Sequence, residues 1–163
     1  MKKVIYLIIP LILLICINAC SGYKPIFSSS NIIEFKITDY SITGDKKLGN
    51  QIYSKLYNLS QTTRNTSEVK NIYILINVLK EKNATTKNSA GKILAYKVDL
   101  STTVIVKNFT TGNQILNENF TSSSSYKVQD QYSETIKLEN QIIQNLINNT
   151  YQNLLVKLSV NLL

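Results

Sequence analysis

The chain has 163 residues, with 18 lysines and arginines against 10 aspartates and glutamates, no histidine, no tryptophan and two cysteines. The lack of histidine excludes histidine metal sites and histidine general bases, and removal of the leader described next leaves one cysteine, whose sulfur is expected to be consumed by a lipid, which excludes disulfides and thiolate catalysis. The positive charge is spread along the chain, which suits phosphate-bearing partners, either nucleic acid or anionic lipid.

Lys2 and Lys3 form a basic start, residues 4–17 are apolar but too short to span a bilayer comfortably, and Ile17-Asn18-Ala19-Cys20 closes the segment. This pattern predicts a secretory leader over residues 1–19. An aliphatic residue three places before a cysteine, with a small residue directly before it, is what lipoprotein processing requires, so Cys20 is the expected lipidation site. Cys16 follows bulky Ile15 and competes poorly. Several acyl methylenes, each contributing about 0.8 kcal/mol on burial, then anchor the protein without a spanning helix. Ser21, where aspartate commonly retains such proteins in the inner membrane, favours the outer membrane. That address leaves lipid, and not nucleic acid, as the expected partner. The processed chain keeps 144 residues and a net charge near +6, the size of a single domain.

Residues 20–31 read as a tether, broken by Pro25 and the serine run 28–30, and residues 32–163 as one domain. Ile33, Phe35 and Ile37 alternate with polar residues, predicting a strand. From Asp45, an available N-cap, Leu48, Ile52, Leu56 and Leu59 recur at helical spacing. Residues 71–80 form a second strand with apolar groups on both faces, which predicts a central position. Residues 81–91, rich in Asn, Lys and Thr and ending in Gly91, read as a long mobile loop. Leu94, Tyr96, Val98, Leu100, Thr102, Val104 and Val106 make the clearest strand, and Thr110-Thr111-Gly112-Asn113 turns it into a fourth over residues 114–127. From Ser133, a candidate N-cap, a helical stripe follows through Ile136, Ile143, Ile147, Leu154 and Leu158. The expectation is an α+β fold of order β-α-β-β-β-α: a four-stranded mixed sheet, first two strands parallel, with both helices packed on one face.

A lipidated cysteine followed by Gly22, Tyr23, Pro25, Ile26 and Phe27, and then this element order, resembles the LPS-assembly lipoprotein LptE family across essentially the whole processed chain. Ser21 departs from the family, which usually has glycine directly after the cysteine, and lengthens the tether by one residue. The resemblance implies a non-enzymatic protein without cofactor that sits as a plug in the lumen of the outer-membrane β-barrel LptD and assists insertion of lipopolysaccharide. Its expected partners are thus the barrel, lipopolysaccharide and the membrane holding its acyl chains. Lys80, Lys82, Lys87 and Lys92, on the expected loop, are the candidate contacts for lipid A phosphates, with Arg64 the only arginine. Glu34, Asp99 and Glu118 are the carboxylates that a hydrolase would have to pair. Tyr73, Tyr96 and Tyr126 suit sheet packing better than a ligand platform. An auxiliary or substrate-binding lipoprotein of a lipid-exporting ABC transporter is the alternative, and it would need an enclosed apolar pocket.

Overall fold

The computed structural model describes residues 35–62 and 69–162. The leader, Cys20, the tether, Ile33, Glu34 and Arg64 lie outside the described residues. The elements are β1 (Phe35–Gly44), α1 (Lys46–Thr62), β2 (Lys70–Lys87), β3 (Ile93–Asn108), β4 (Gln114–Lys127) and α2 (Tyr132–Leu162). They form a four-stranded sheet of order β1-β2-β3-β4, with β1 parallel to β2 and the other pairs antiparallel. This is the expected α+β architecture.

Period-two alternation builds the inner sheet face. Ile72, Ile74, Ile76 and Val78 of β2 and Val98, Leu100, Val104 and Val106 of β3 are all buried. They join Leu48, Ile52 and Leu56 of α1 and Ile143, Leu146, Ile147, Leu154, Leu155 and Leu158 of α2 in one apolar cluster. Helix α1 packs on β1 and β2, and α2 mainly on β4, so the two helices share one face between them. Burying each of these aliphatic side chains contributes roughly 1.5–3 kcal/mol, the main force holding the layers together. The opposite face stays open, with Tyr73, Leu75, Asn77, Thr103 and Ile105 half-buried.

The turn from β1 into α1 is tightly specified. Gly44 has φ of 73°, and a Cβ there would stand 2.1 Å from the carbonyl oxygen of Val78. The next residue, Asp45, donates its own amide to that oxygen at 2.7 Å, and its carboxylate accepts the amide of Leu48 at 3.1 Å. Asp45 is therefore the N-cap, as its sequence position predicts.

Two expectations need correction. Residues 81–87 are not loop but the outer half of β2, which pairs with β3 as far as Lys87 opposite Ile93. Every side chain from Leu79 to Lys87 is exposed, so no apolar alternation marks the strand, and the backbone ladder to β3 carries it. Only residues 88–92 turn: the Asn88 carboxamide accepts the amides of Ala90 at 3.0 Å and Lys92 at 2.8 Å, with Gly91 at φ 80°. The second correction concerns Ser133, which lies inside α2 and not at its cap. The Gln131 carbonyl accepts the amide of Thr135 at 3.3 Å, and the Thr135 hydroxyl accepts the amide of Gln129 at 2.8 Å, so Thr135 ties down the helix start.

Candidate functional site

The extension of β2 alters the setting of the four candidate lysines. Lys80 and Lys82, two residues apart on one strand, point toward the helix layer. The Lys80 ammonium lies 4.0 Å from the Asp45 carboxylate. Lys82 donates to Glu139 Oε2 of α2 at 2.6 Å and stands 4.3 Å from the centre of the Tyr96 ring. Tyr126, stacked across the β3–β4 pair on Tyr96 at 5.8 Å between centroids, donates its hydroxyl to the same carboxylate oxygen at 2.7 Å. Lys87 ends β2, exposed to solvent, and Lys92 closes the turn.

Physical chemistry makes Lys82 and Glu139 a fixed pair. Partial burial opposes charge on Lys82, yet the hydrogen bonds from its ammonium to Glu139 and its contact with Tyr126 outweigh this and hold it above the ordinary lysine range. Burial likewise opposes charge on Glu139, and Lys82 and Tyr126 together hold its carboxyl below the ordinary range. Burial raises the Tyr126 phenol, partly offset by Lys82. The lysine is thus committed to an intramolecular carboxylate with aromatic rings beneath it. Lys82 and Lys92 do share a recess of about 320 Å³, with Tyr96, Asp130, Tyr132 and Thr135 among its walls. Asp130 puts an opposing carboxylate into it. Of the four lysines, Lys87 and Lys92 form no ion pair among the described residues, and these two remain available to an external anion.

Sequence reasoning did not single out Glu139. A signal was present: Glu139 stands four residues before Ile143 and so on the buried stripe of α2, where a carboxylate requires a partner. Tyr96 and Tyr126 pack in the sheet as expected, whereas Tyr73 faces the open side. Of the carboxylates weighed for hydrolysis, Glu34 lies outside the described residues, and Asp99 and Glu118 are not brought together. Asp99 is on the open face, 2.7 Å from Lys97, and Glu118 is on the helix face, 3.0 Å from Lys157.

The open face offers the larger surface. One shallow depression of about 450 Å³ lies among Leu79, Glu81, Asp99, Ser101 and Thr121, and another of about 270 Å³ among Ser41, Thr43, Leu75, Asn77 and Ile105. Side-chain hydrogen bonds cross the strands at Thr43–Asn77 (3.1 Å) and Ser101–Asn119 (3.1 Å). A half-apolar sheet face bordered by small hydroxyl and amide groups is suited to contact with another macromolecule.

No protein-family model matches this chain, and no curated protein matches it in sequence. Solved structures share its fold. A candidate lipoprotein from Caulobacter crescentus superimposes with a TM-score of 0.56 at 12% identity, covering 80% of this chain and 91% of that one. Rare lipoprotein B from Shewanella oneidensis gives 0.51 at 12% identity, covering 76% and 98%. An uncharacterized lipoprotein B from Nitrosomonas europaea gives 0.54 at 14% identity, covering 86% and 90%. At these identities the likeness is one of fold.

Proposed function

We propose that this chain is an outer-membrane lipoprotein of the LptE type, acylated at Cys20, which plugs and helps assemble an LptD-type β-barrel and assists insertion of lipopolysaccharide at the cell surface. The observation that carries the reading is a coincidence of two independent features. One is the lipoprotein leader ending at Ala19-Cys20; the other is a fold shared with rare lipoprotein B, another name for LptE, over 98% of that protein.

The packing supports a plug over a shuttle. The space between sheet and helices, where a lipid carrier would hold its cargo, is filled by the side chains of the apolar cluster. The three recesses described above open to solvent. The role is mechanical and not catalytic: the open sheet face and the β2–β3 hairpin supply contact area. Phosphate contact falls to Lys87 and Lys92, since Lys80 and Lys82 already have carboxylate partners.

The test is purification of the tagged chain from native membranes in mild detergent. An outer-membrane barrel should accompany it in near-equal amount, and Cys20→Ala should pass to the soluble fraction when no barrel is present. Recovery of ABC-transporter subunits without a barrel would overturn the plug reading in favour of the transporter auxiliary.

A further inference from the structure

One end of the domain collects several features that the barrel reading does not use. Phe35 begins β1 there, opposite Lys70 at the start of β2. The β3–β4 turn is fixed to the same end, because Phe109 donates its amide to the Asn71 carbonyl at 2.9 Å. So is the last turn of α2, whose Leu162 carbonyl accepts the Lys70 ammonium. Two apolar side chains project from this end into solvent: Phe109 at the turn is 50% exposed, and Val160 on the last turns of α2 is 74% exposed. The turn needs no aromatic residue. It is closed by the Asn108 carboxamide, which accepts the amides of Thr110 and Thr111 at 2.9 Å each, and by Gly112 at φ 72°.

Positive charge prevails at this end among the described residues: Lys36, Lys70 and Lys107 belong to it against one carboxylate, Asp39, which stands opposite Tyr73 in the β1–β2 register, while Lys157 of α2 is paired with Glu118. Glu34 and Glu68 adjoin it in sequence and lie outside the described residues. A small apolar tip rimmed by lysines is the composition that settles at an anionic lipid surface, apolar groups among the acyl chains and ammonium groups at the phosphates.

We infer that this end of the domain rests on the membrane itself, with Phe109 and Val160 entering the headgroup region. The occupant follows from where the chain enters. Residue 35 is fifteen residues from Cys20, so a chain extended to its limit keeps this end within about 50 Å of the acyl anchor. Tethering at such lengths gives effective concentrations on the order of millimolar, at which two apolar side chains suffice for contact. The inference rests on the acyl-anchor part of the proposed function and not on the barrel. It describes how the lipoprotein stands when no barrel encloses it.

The chain contains no tryptophan, so single substitutions give unambiguous reporters. The full lipidated protein would be reconstituted into vesicles of phosphatidylethanolamine and phosphatidylglycerol with brominated acyl chains, carrying Phe109→Trp, Val160→Trp or Leu79→Trp. Leu79 is 55% exposed, and nine residues along β2 from Lys70 place it about 30 Å from this end. Both tip variants should be quenched at least threefold more than Leu79→Trp, with blue-shifted emission. Equal quenching at the three positions in protein that floats with the vesicles would overturn the docking and leave the anchor standing. Failure of all three variants to float would overturn both. Tip emission that ignores lipid but shifts blue on addition of a purified barrel would assign this end to protein contact and overturn the lipid assignment.

Discussion

Thr102 is fully buried at the centre of β3, yet its hydroxyl makes no hydrogen bond to any described residue. A buried hydroxyl without a partner costs about 1–3 kcal/mol, and valine has the same shape without that cost. Thr102→Val should therefore raise stability by about 1 kcal/mol in urea melts, and a loss of stability would mean that a partner is engaged. Glu139 is the opposite case, because it accepts from both Lys82 and Tyr126. Removing it as Glu139→Ala strands two donors and should cost about 1–2 kcal/mol, discounted for the partial exposure of Lys82. The sign with pH follows from the two shifts. The Glu139 carboxyl is lowered from an ordinary value near 4.5, so its contribution is complete above that pH and fades as pH falls through the folded value. Lys82 is raised from 10.5, so its contribution is complete below that and fades only in strong alkali. The stability gap between wild type and Glu139→Gln should thus be level from about pH 6 to 9 and shrink below about pH 4.

At the scale of elements, Gly44 decides how β1 passes into α1. Gly44→Ala meets both a left-handed φ and the Val78 carbonyl at 2.1 Å, and should cost more than the roughly 1–2 kcal/mol of the backbone strain alone. A melting temperature within a degree of wild type would show that the turn can relax. The elements legible in the sequence are those whose burial writes a period. The stripe of α1 and the alternation from Leu94 to Val106 are read directly, because each buried position repeats at the pitch of its element. The outer half of β2 writes none: from Lys80 to Lys87 both faces are polar and exposed, and its strand character comes from hydrogen bonds to β3 that no local pattern announces. For the same reason the sequence alone places these lysines on a mobile loop. Lys82 belongs to a cluster assembled from β2, β3, β4 and α2, and the pairing with Glu139, 57 residues distant, depends on register. The start of α2 differs for a simpler reason: serine at 133 is a capping residue type, but the helix already begins at Tyr132, and the hydroxyl that holds the entering chain is that of Thr135, inside the first turns.

For the whole molecule, the two ends differ in chemistry. The outer hairpin and the start of α2 carry Glu81, Asp130, Glu134 and Glu139 among lysines, whereas at the end that holds Phe35 and Leu162 the lysines Lys36, Lys70 and Lys107 face a single carboxylate, Asp39, among the described residues. The proposed lipopolysaccharide contact by the outer hairpin should then be removed by charge reversal at Lys87 and Lys92 together. The doubly substituted protein should keep its melting temperature and lose binding at low salt, with the difference shrinking as salt shortens the roughly 8 Å screening length. Lys82→Glu should instead lower stability, because it sets two carboxylates against each other. Retained binding by the Lys87 and Lys92 double mutant would exclude the hairpin tip as the phosphate contact.

The parallel pairing of β1 with β2 also sets how the molecule bears load. The proposed acyl anchor would pull on the chain from the start of β1, while any partner that grips the outer hairpin would hold the far end of β2. Tension between those points runs along the strands, so the hydrogen bonds from Phe35 to Gly44 resist together in shear. Tension between the anchor and the end of α2, which lies at the same end as Phe35, would instead open that ladder one bond at a time from its edge. Single-molecule pulling from the tether against residue 88 should therefore require a higher rupture force than pulling against residue 162, and the arrangement would let a membrane-bound anchor strain against a held hairpin without stripping its own first strand.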